Sequence, residues 1–225
     1  YQHNFHVLWT LHDYKLLCPR YDCLKNGDSI CEACFKGDKR ACLYNKCMKD
    51  SKLASWIGYK EAVTWSRERL ETCTNMFICP SHFLADKMIQ GGFDKAKMRT
   101  LCNFIDVHKC RKDSYEKDDY YCFIGRLSHE KGITTLVEAA RQLPYKLKII
   151  GGGPLMEQLK SLTMGTNIEF VGYKQWTEIK ELVGHARFSV IPSEWYENNP
   201  LSVIEAQCLG TPVLGCLLYT SPSPR

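Results

Sequence analysis

No run of about 18 apolar residues, the length a membrane-spanning helix needs, occurs anywhere in the 225 residues, which removes a transmembrane helix from the reading. Tyr1 to His6 lack the charged-then-apolar pattern of a signal peptide, and no internal repeat is visible. The expectation is a soluble, cytoplasmic chain. Charge of one sign is not in excess: 30 Lys and Arg face 25 Asp and Glu, and the net +5 is scattered. That balance suits a phosphate-bearing ligand, an anionic membrane surface or nucleic acid alike. No basic stripe interleaved with aromatics is present, so a nucleic-acid partner is not expected. A start methionine is also missing. Tyr1 leads almost at once into the strand-like Phe5-His6-Val7-Leu8-Trp9-Thr10, which reads as a chain whose native amino terminus lies upstream.

Cysteine is the residue in surplus. Thirteen occur, six of them between Cys18 and Cys47; without a signal peptide, reduced thiols or metal ligands are expected rather than a disulfide framework. At the other end the pattern breaks after Thr211-Pro212-Val213-Leu214-Gly215. The tail Cys216 to Arg225 reads either as a translated library adapter or as a genuine proline-rich terminus.

From Tyr120 onward short apolar runs alternate with helical patterns. Strands are expected at Tyr121–Ile124, Lys146–Ile150, Ile168–Val171, Phe188–Ile191 and Pro212–Leu214. Helices fall between them at Thr134–Leu143, Leu155–Leu162, Glu178–Val183 and Leu201–Leu209. Strand and helix in alternation predict a parallel sheet covered by helices, with the ligand crevice at the glycine-bearing strand ends Gly125, Gly151 to Gly153 and Gly172. In the first half a strand is expected at Val7–Thr10, one long helix near Ser51–Thr72 with Leu53, Trp56, Ile57 and Leu70 in the core, and a strand at Met76–Cys79. Ser81 should cap a helix reaching Gln90 and closed by Gly91-Gly92. The polar stretch Lys109 to Asp119 is read as a linker between residues 1–108 and 120–215.

The strongest signal is Pro192-Ser193-Glu194-Trp195-Tyr196-Glu197-Asn198-Asn199-Pro200-Leu201-Ser202-Val203-Ile204-Glu205-Ala206, which follows a buried-type strand. Asn199 is a good N-cap and Pro200 a good first helical residue, leaving the amides of Leu201 and Ser202 pointing out of the helix end, where a diphosphate fits. A Glu, seven residues and a Glu at a strand-to-helix junction resembles the signature of GT-B glycosyltransferases, family 4 above all. Gly125-Arg126-Leu127-Ser128-His129-Glu130-Lys131-Gly132 is similar to the family's first donor-domain loop, and Ile150-Gly151-Gly152-Gly153-Pro154 to its glycine-rich turn.

The resemblance covers nearly all of Val7 to Gly215, most strongly from Tyr121 on. It implies an α/β, GT-B fold of two Rossmann-like domains facing a cleft, both incomplete here. The implied activity is retaining transfer of a hexose from a nucleoside diphosphate sugar to a polysaccharide or lipid-linked acceptor. Arg126 and Lys131 would hold the diphosphate, Glu205 the ribose hydroxyls and Glu197 the transferred sugar. Gly125, Gly152, Asn198, Asn199, Leu201 and Ser202 would line the donor site. Glu194, three residues before Glu197, competes with it, but only Glu197 keeps the spacing to Glu205. One helix end contributes about 0.3 to 1 kcal/mol where catalysis needs about 8 to 23 kcal/mol, so several groups must act together. No Asp-x-Asp occurs, in keeping with a reaction that needs no catalytic metal.

Leu11-His12-Asp13-Tyr14 follows a strand, and His12 resembles the family histidine that meets the transferred sugar. Asp13 reads as its orienter or as a turn former, and Asn103 and Asp106 as cleft-bordering or turn residues. The spacing Cys18-x4-Cys23-x7-Cys31-x2-Cys34-x7-Cys42-x4-Cys47 reads as an insertion that either binds structural zinc or carries free thiols. Peripheral contact with the cytoplasmic face of the membrane is left open, as are an epimerase or phosphorylase of the same fold and a zinc-binding interaction module.

Overall fold

The computed structural model describes residues 5–27, 29–112 and 114–215; the Cys216 to Arg225 tail lies outside them. The chain divides into two compact units. Of the described residues, one holds those up to Asn103 together with Trp195–Asn199; the other holds those of Phe104–Glu194 and of 200–215.

The first unit is built on a three-stranded parallel sheet. Strand β1 (Leu8–Thr10) is followed by the cysteine-rich insertion, which carries the two-residue antiparallel pair β2 (Leu24–Lys25) and β3 (Ser29–Ile30) and the single turn α1 (Ala41–Tyr44). Helices α2 (Lys52–Thr64) and α3 (Arg67–Cys73) lead to β4 (Met76–Cys79), then α4 (His82–Gln90) and β5 (Met98–Thr100), in sheet order β1-β4-β5. Three serines start the helices: Ser51, Ser66 and Ser81 accept from the amides of Ala54, Arg69 and Leu84 at 3.3, 3.4 and 3.1 Å.

The single long helix expected over Ser51–Thr72 is therefore two. Ser66 caps a new helix, and Arg69 stacks its guanidinium 4.5 Å from the Trp65 ring across the break. The expected core also changes. Leu70 is buried, but Leu53, Trp56 and Ile57 lie on the exposed face of α2, whose inner face is formed by Ser55 and Gly58. Small residues let α2 sit close to α1, and this turns the larger side chains outward.

The second unit is a five-stranded parallel sheet of order β10-β9-β6-β7-β8. Its elements are β6 (Tyr120–Ile124), α5 (Ile133–Ala140), β7 (Lys146–Ile150), α6 (Met156–Leu162), β8 (Ile168–Gly172), α7 (Trp176–Gly184), β9 (Ser189–Ile191), α8 (Leu201–Cys208) and β10 (Val213–Gly215). Every expected element is present, with ends moved by a few residues. Helix α5 packs Ile133, Leu136, Val137 and Ala140 against one sheet face; Val183 of α7, Ala206 of α8 and Leu209 just after α8 cover the other. Lys109 to Asp119, read as a linker, packs within this unit: Lys117 Nζ donates to the Gly184 carbonyl at 2.8 Å and to Thr211 Oγ1 at 2.9 Å. The division between units falls earlier, after Asn103.

Candidate functional site

The strand order of the second unit places a crevice before any residue is considered. The chain runs from β6 outward to β7 and β8, then returns to β9 and β10 on the other side. The connections leaving β6 and β9 therefore diverge at their carboxyl ends, where open α/β sheets bind ligands. The β6 connection is Gly125 to Gly132 and the β9 connection begins at Pro192, so the motifs singled out in the sequence border one gap.

These loops are closely fitted. Leu127 donates its amide to the Gly152 carbonyl at 3.0 Å, tying the arginine loop to the glycine turn, and Glu194 donates its amide to the Glu130 carbonyl at 3.0 Å. Gly132 has φ +64°, and a Cβ there would lie 2.0 Å from the Pro192 carbonyl oxygen. Gly151, at φ +131°, would put a Cβ 2.0 Å from the Gly125 oxygen. Gly152, singled out from the sequence, would meet nothing within 4 Å, so the steric demand falls on its neighbour.

Arg126 is exposed at this gap, and Lys131 is half-buried at the end of the His129–Lys131 turn. Helix α8 begins at Leu201 with Pro200 as its N-cap. The first-turn amides of Leu201 and Ser202 have no intrahelical acceptor. Asn199 is not the cap: its backbone is left-handed, φ +52°, and its side chain donates to the Pro80 carbonyl at 3.0 Å. Glu205 lies half-buried on α8 beside buried Ala206, and burial raises its carboxyl pKa above the ordinary glutamate value. Glu194, the competitor of Glu197, accepts from the Thr135 hydroxyl at 2.5 Å and is thereby held to the first turn of α5.

Glu197 belongs to the first unit with the rest of Trp195–Asn199. It is buried, at 6% exposure, and its carboxylate, after burial and Cys23, adds to the effects raising the Tyr14 hydroxyl pKa. The segment is pinned immediately after it. Asn198 Nδ2 donates to the Leu11 carbonyl at 3.1 Å, Ser81 Oγ donates to Asn198 Oδ1 at 3.2 Å, and Asn103 Nδ2 donates to the Asn199 carbonyl at 2.7 Å. Leu11 immediately precedes His12, so the strand end that presents His12 also anchors Asn198. His12 and Asp13 are exposed and border a cavity of about 600 Å3 with Trp9, Lys15, Glu61 and Trp65. Asp13 accepts from the Lys15 amide at 2.8 Å, which makes it the turn former. Asp106 accepts from the His108 amide at 3.0 Å in the same manner.

The six cysteines of the insertion do not form one centre. Cys18 and Cys23 hydrogen-bond to each other inside the sheet core with Leu11 and Tyr14; Cys34, Cys42 and Cys47 form a separate small core with Ala41 and Met48; Cys31 is half-buried. Among the described residues, no three His, Cys, Asp or Glu side chains are placed to hold a metal ion. These residues as placed do not fit a zinc site, and free thiols are the arrangement present. The hydrogen bond from Cys23 lowers the Cys18 pKa to about 7, while burial raises Cys34 to about 11 and Cys47 to about 12. Among the described residues no helix is long and apolar enough to cross a membrane.

The Tyr196 hydroxyl donates to Glu32 Oε1 at 2.9 Å, a contact that neither periodicity nor motif spacing marks between residues so far apart.

Comparison with known proteins bears on the fold and the family. An "uncharacterized 42.6 kDa protein in cps region" of Klebsiella pneumoniae is 26% identical over 212 residues, covering 92% of this chain. The chain spans 50% of that relative's length. Sucrose-phosphate synthase from Thermosynechococcus elongatus superposes with a TM-score of 0.62 at 19% identity, over 94% of this chain and 50% of that one. Anabaena HepE in complex with UDP does so with a TM-score of 0.56 at 18% identity, over 75% and 56%. At these identities the solved structures show the α/β, GT-B fold. The model of the glycosyl transferases group 1 family matches residues 105–218, half of the 225, and the chain belongs to that family.

Proposed function

We propose that the chain is the donor-binding part of a family 4 glycosyltransferase that moves a hexose from a nucleoside diphosphate sugar to a polysaccharide or lipid-linked saccharide, with retention and without a metal. The observation that supports this is the strand order, in which the loop carrying Arg126 and Lys131 leaves β6 and the connection to the first turn of α8 leaves the adjacent β9 on the other side of the switch point.

In this reading the bond between sugar C1 and the diphosphate oxygen breaks. The acceptor hydroxyl oxygen bonds to C1, its proton is released, and the nucleoside diphosphate departs. Arg126, Lys131 and the amides of Leu201 and Ser202 offset the charge that builds on the leaving group. Gly125 and Gly152 let the diphosphate approach the backbone. Glu205, with few water molecules to lose, accepts hydrogen bonds from the ribose. Glu197 accepts from the transferred sugar beside Asn198, and His12 faces the same sugar. The cavity bordered by Trp9, His12 and Trp65 takes the acceptor. Membrane contact, in this reading, falls on α2, where exposed Leu53, Trp56 and Ile57 stand beside Lys52 and Lys60. HepE is solved with UDP, so a uridine diphosphate is the first donor to test.

The experiment is calorimetric binding of UDP, GDP and ADP, each with and without its hexose, to the full-length protein and its Glu205→Ala variant in metal-free buffer. Saturable binding of one nucleotide, weakened by the substitution, supports the reading. No binding to any of them removes it.

A further inference from the structure

The cysteine-rich insertion has no part in the chemistry above, yet one of its residues reaches the segment that carries Glu197. Between Cys31 and Cys34 lies Glu32, and its Oε1 accepts a hydrogen bond from the Tyr196 hydroxyl at 2.9 Å. The same oxygen forms an ion pair with Lys87 of α4. Lys87 Nζ also stands over three rings, 6.0 Å from Phe35, 5.3 Å from Phe83 and 5.2 Å from Tyr196. The Tyr196 ring packs edge-on to Phe83 at 4.9 Å and tilted to Tyr14 at 5.9 Å. All of these residues belong to the first unit. Burial first, and then Glu32, raise the Tyr196 pKa, so its hydroxyl keeps its proton and donates.

We propose that the insertion is a brace for the sugar-binding segment: Glu32 is a positioning residue that acts through Tyr196 to hold Glu197 in register. The argument is mechanical. Asn198 and Asn199 fix the chain after Glu197 to Leu11, Pro80 and Asn103. Before Glu197, the Tyr196 side chain supplies an anchor within the same unit. Glu32 joins that side chain to α4 and to the turn where the Phe35 amide bonds the Glu32 carbonyl at 3.0 Å. The thiols on either side give the insertion the small buried cores that keep this turn in place. This inference rests on the donor-binding reading, since Glu197 must meet the sugar for its register to matter.

The test is a double-mutant cycle in the full-length protein with Tyr196→Phe, Glu32→Ala and both together. Phenylalanine keeps the ring contacts and removes only the hydroxyl. Each single variant should lower affinity for the nucleotide hexose roughly tenfold, the size of one charge-assisted hydrogen bond. The double variant should lose no more than either single one, and affinity for the free nucleoside diphosphate should not change. A melting curve of Tyr196→Phe close to wild type separates this from loss of fold. Rescue by Glu32→Gln, which keeps an oxygen acceptor for Tyr196 without the charge, is expected to be partial. Nucleotide-hexose binding unchanged in Tyr196→Phe, or losses that add in the double variant, overturns the brace alone. Absence of nucleotide binding in the wild type removes the donor reading, and the brace falls with it.

Discussion

Two adjacent glycines should respond to the same substitution in opposite ways. Gly151 sits at φ +131°, where a side chain is strained by about 1 to 2 kcal/mol, and its Cβ would lie 2.0 Å from the Gly125 oxygen. Relief requires the ends of β6 and β7 to part. That disturbs the bonds from the Gly151 amide to the Gly172 carbonyl at 2.8 Å and from the Gly125 amide to the Ile150 carbonyl at 3.0 Å, each worth about 1 kcal/mol net. Gly151→Ala should therefore destabilise the second unit by about 3 to 4 kcal/mol and lower its melting point on the order of 10 °C. Gly152→Ala meets open space and a φ open to any residue, so stability should hold or rise by about 0.4 to 1 kcal/mol. Only the approach of the diphosphate is obstructed, and nucleotide affinity should fall about tenfold. Thermal melts and calorimetry of both variants in the full-length protein test this. Wild-type melting in Gly151→Ala would refute the steric argument. Wild-type nucleotide affinity in Gly152→Ala would refute the placement of the phosphates.

Glu205 has its pKa raised by burial, so it contributes stability in full below the unfolded value of about 4.3 and loses it as pH rises through the folded value. Glu205→Gln should melt higher than wild type at pH 7, equal to it at pH 4, and bind nucleotide more weakly; equal melting at both pH values would count against the burial argument. Arg126→Ala and Lys131→Ala should each reduce diphosphate affinity about tenfold and flatten its salt dependence, and an unchanged salt slope in the double variant would exclude them from the phosphate site. Elemental analysis of the full-length protein should find no stoichiometric zinc; one zinc per chain whose removal unfolds the insertion would overturn the free-thiol arrangement.

The second unit was legible because its signals are local. A buried parallel strand is a short apolar run, its helix shows one apolar stripe, and a glycine marks the strand end; Lys146–Ile150 and the helix after Gly132 need no distant partner to be recognised. The first unit was legible where a cap was visible, as at Ser81, and misread where two caps competed. Ser66 ends one helical pattern and starts another, but in the sequence it is one polar residue inside a continuous amphipathic stretch. Leu53, Trp56 and Ile57 were misassigned for a related reason. Hydrophobicity marks the face a helix is expected to bury, whereas here close packing through Ser55 and Gly58 decided which face turned inward.

The site divides along the same line. Arg126, Lys131 and Glu205 could be placed because strand ends and helix starts locate them, and the order of strands then brings their loops to one gap. Asn199 shows where local reasoning fails. Judged by its neighbours it is an N-cap, but its amide is taken by the Pro80 carbonyl, more than a hundred residues away, and the backbone adopts φ +52° to reach it. A long-range bond outweighed a local preference worth about 1 kcal/mol. Tyr196 and Glu32 follow the same logic with no local preference to set aside, since a half-buried tyrosine and a carboxylate between two cysteines are unremarkable until the chain brings them within 2.9 Å. The residues we assign to donor binding thus lie on elements a sequence displays. The contacts proposed to aim them are ones that only the folded chain creates, and for this reason the role proposed for the insertion rests on its geometry and not on its cysteines.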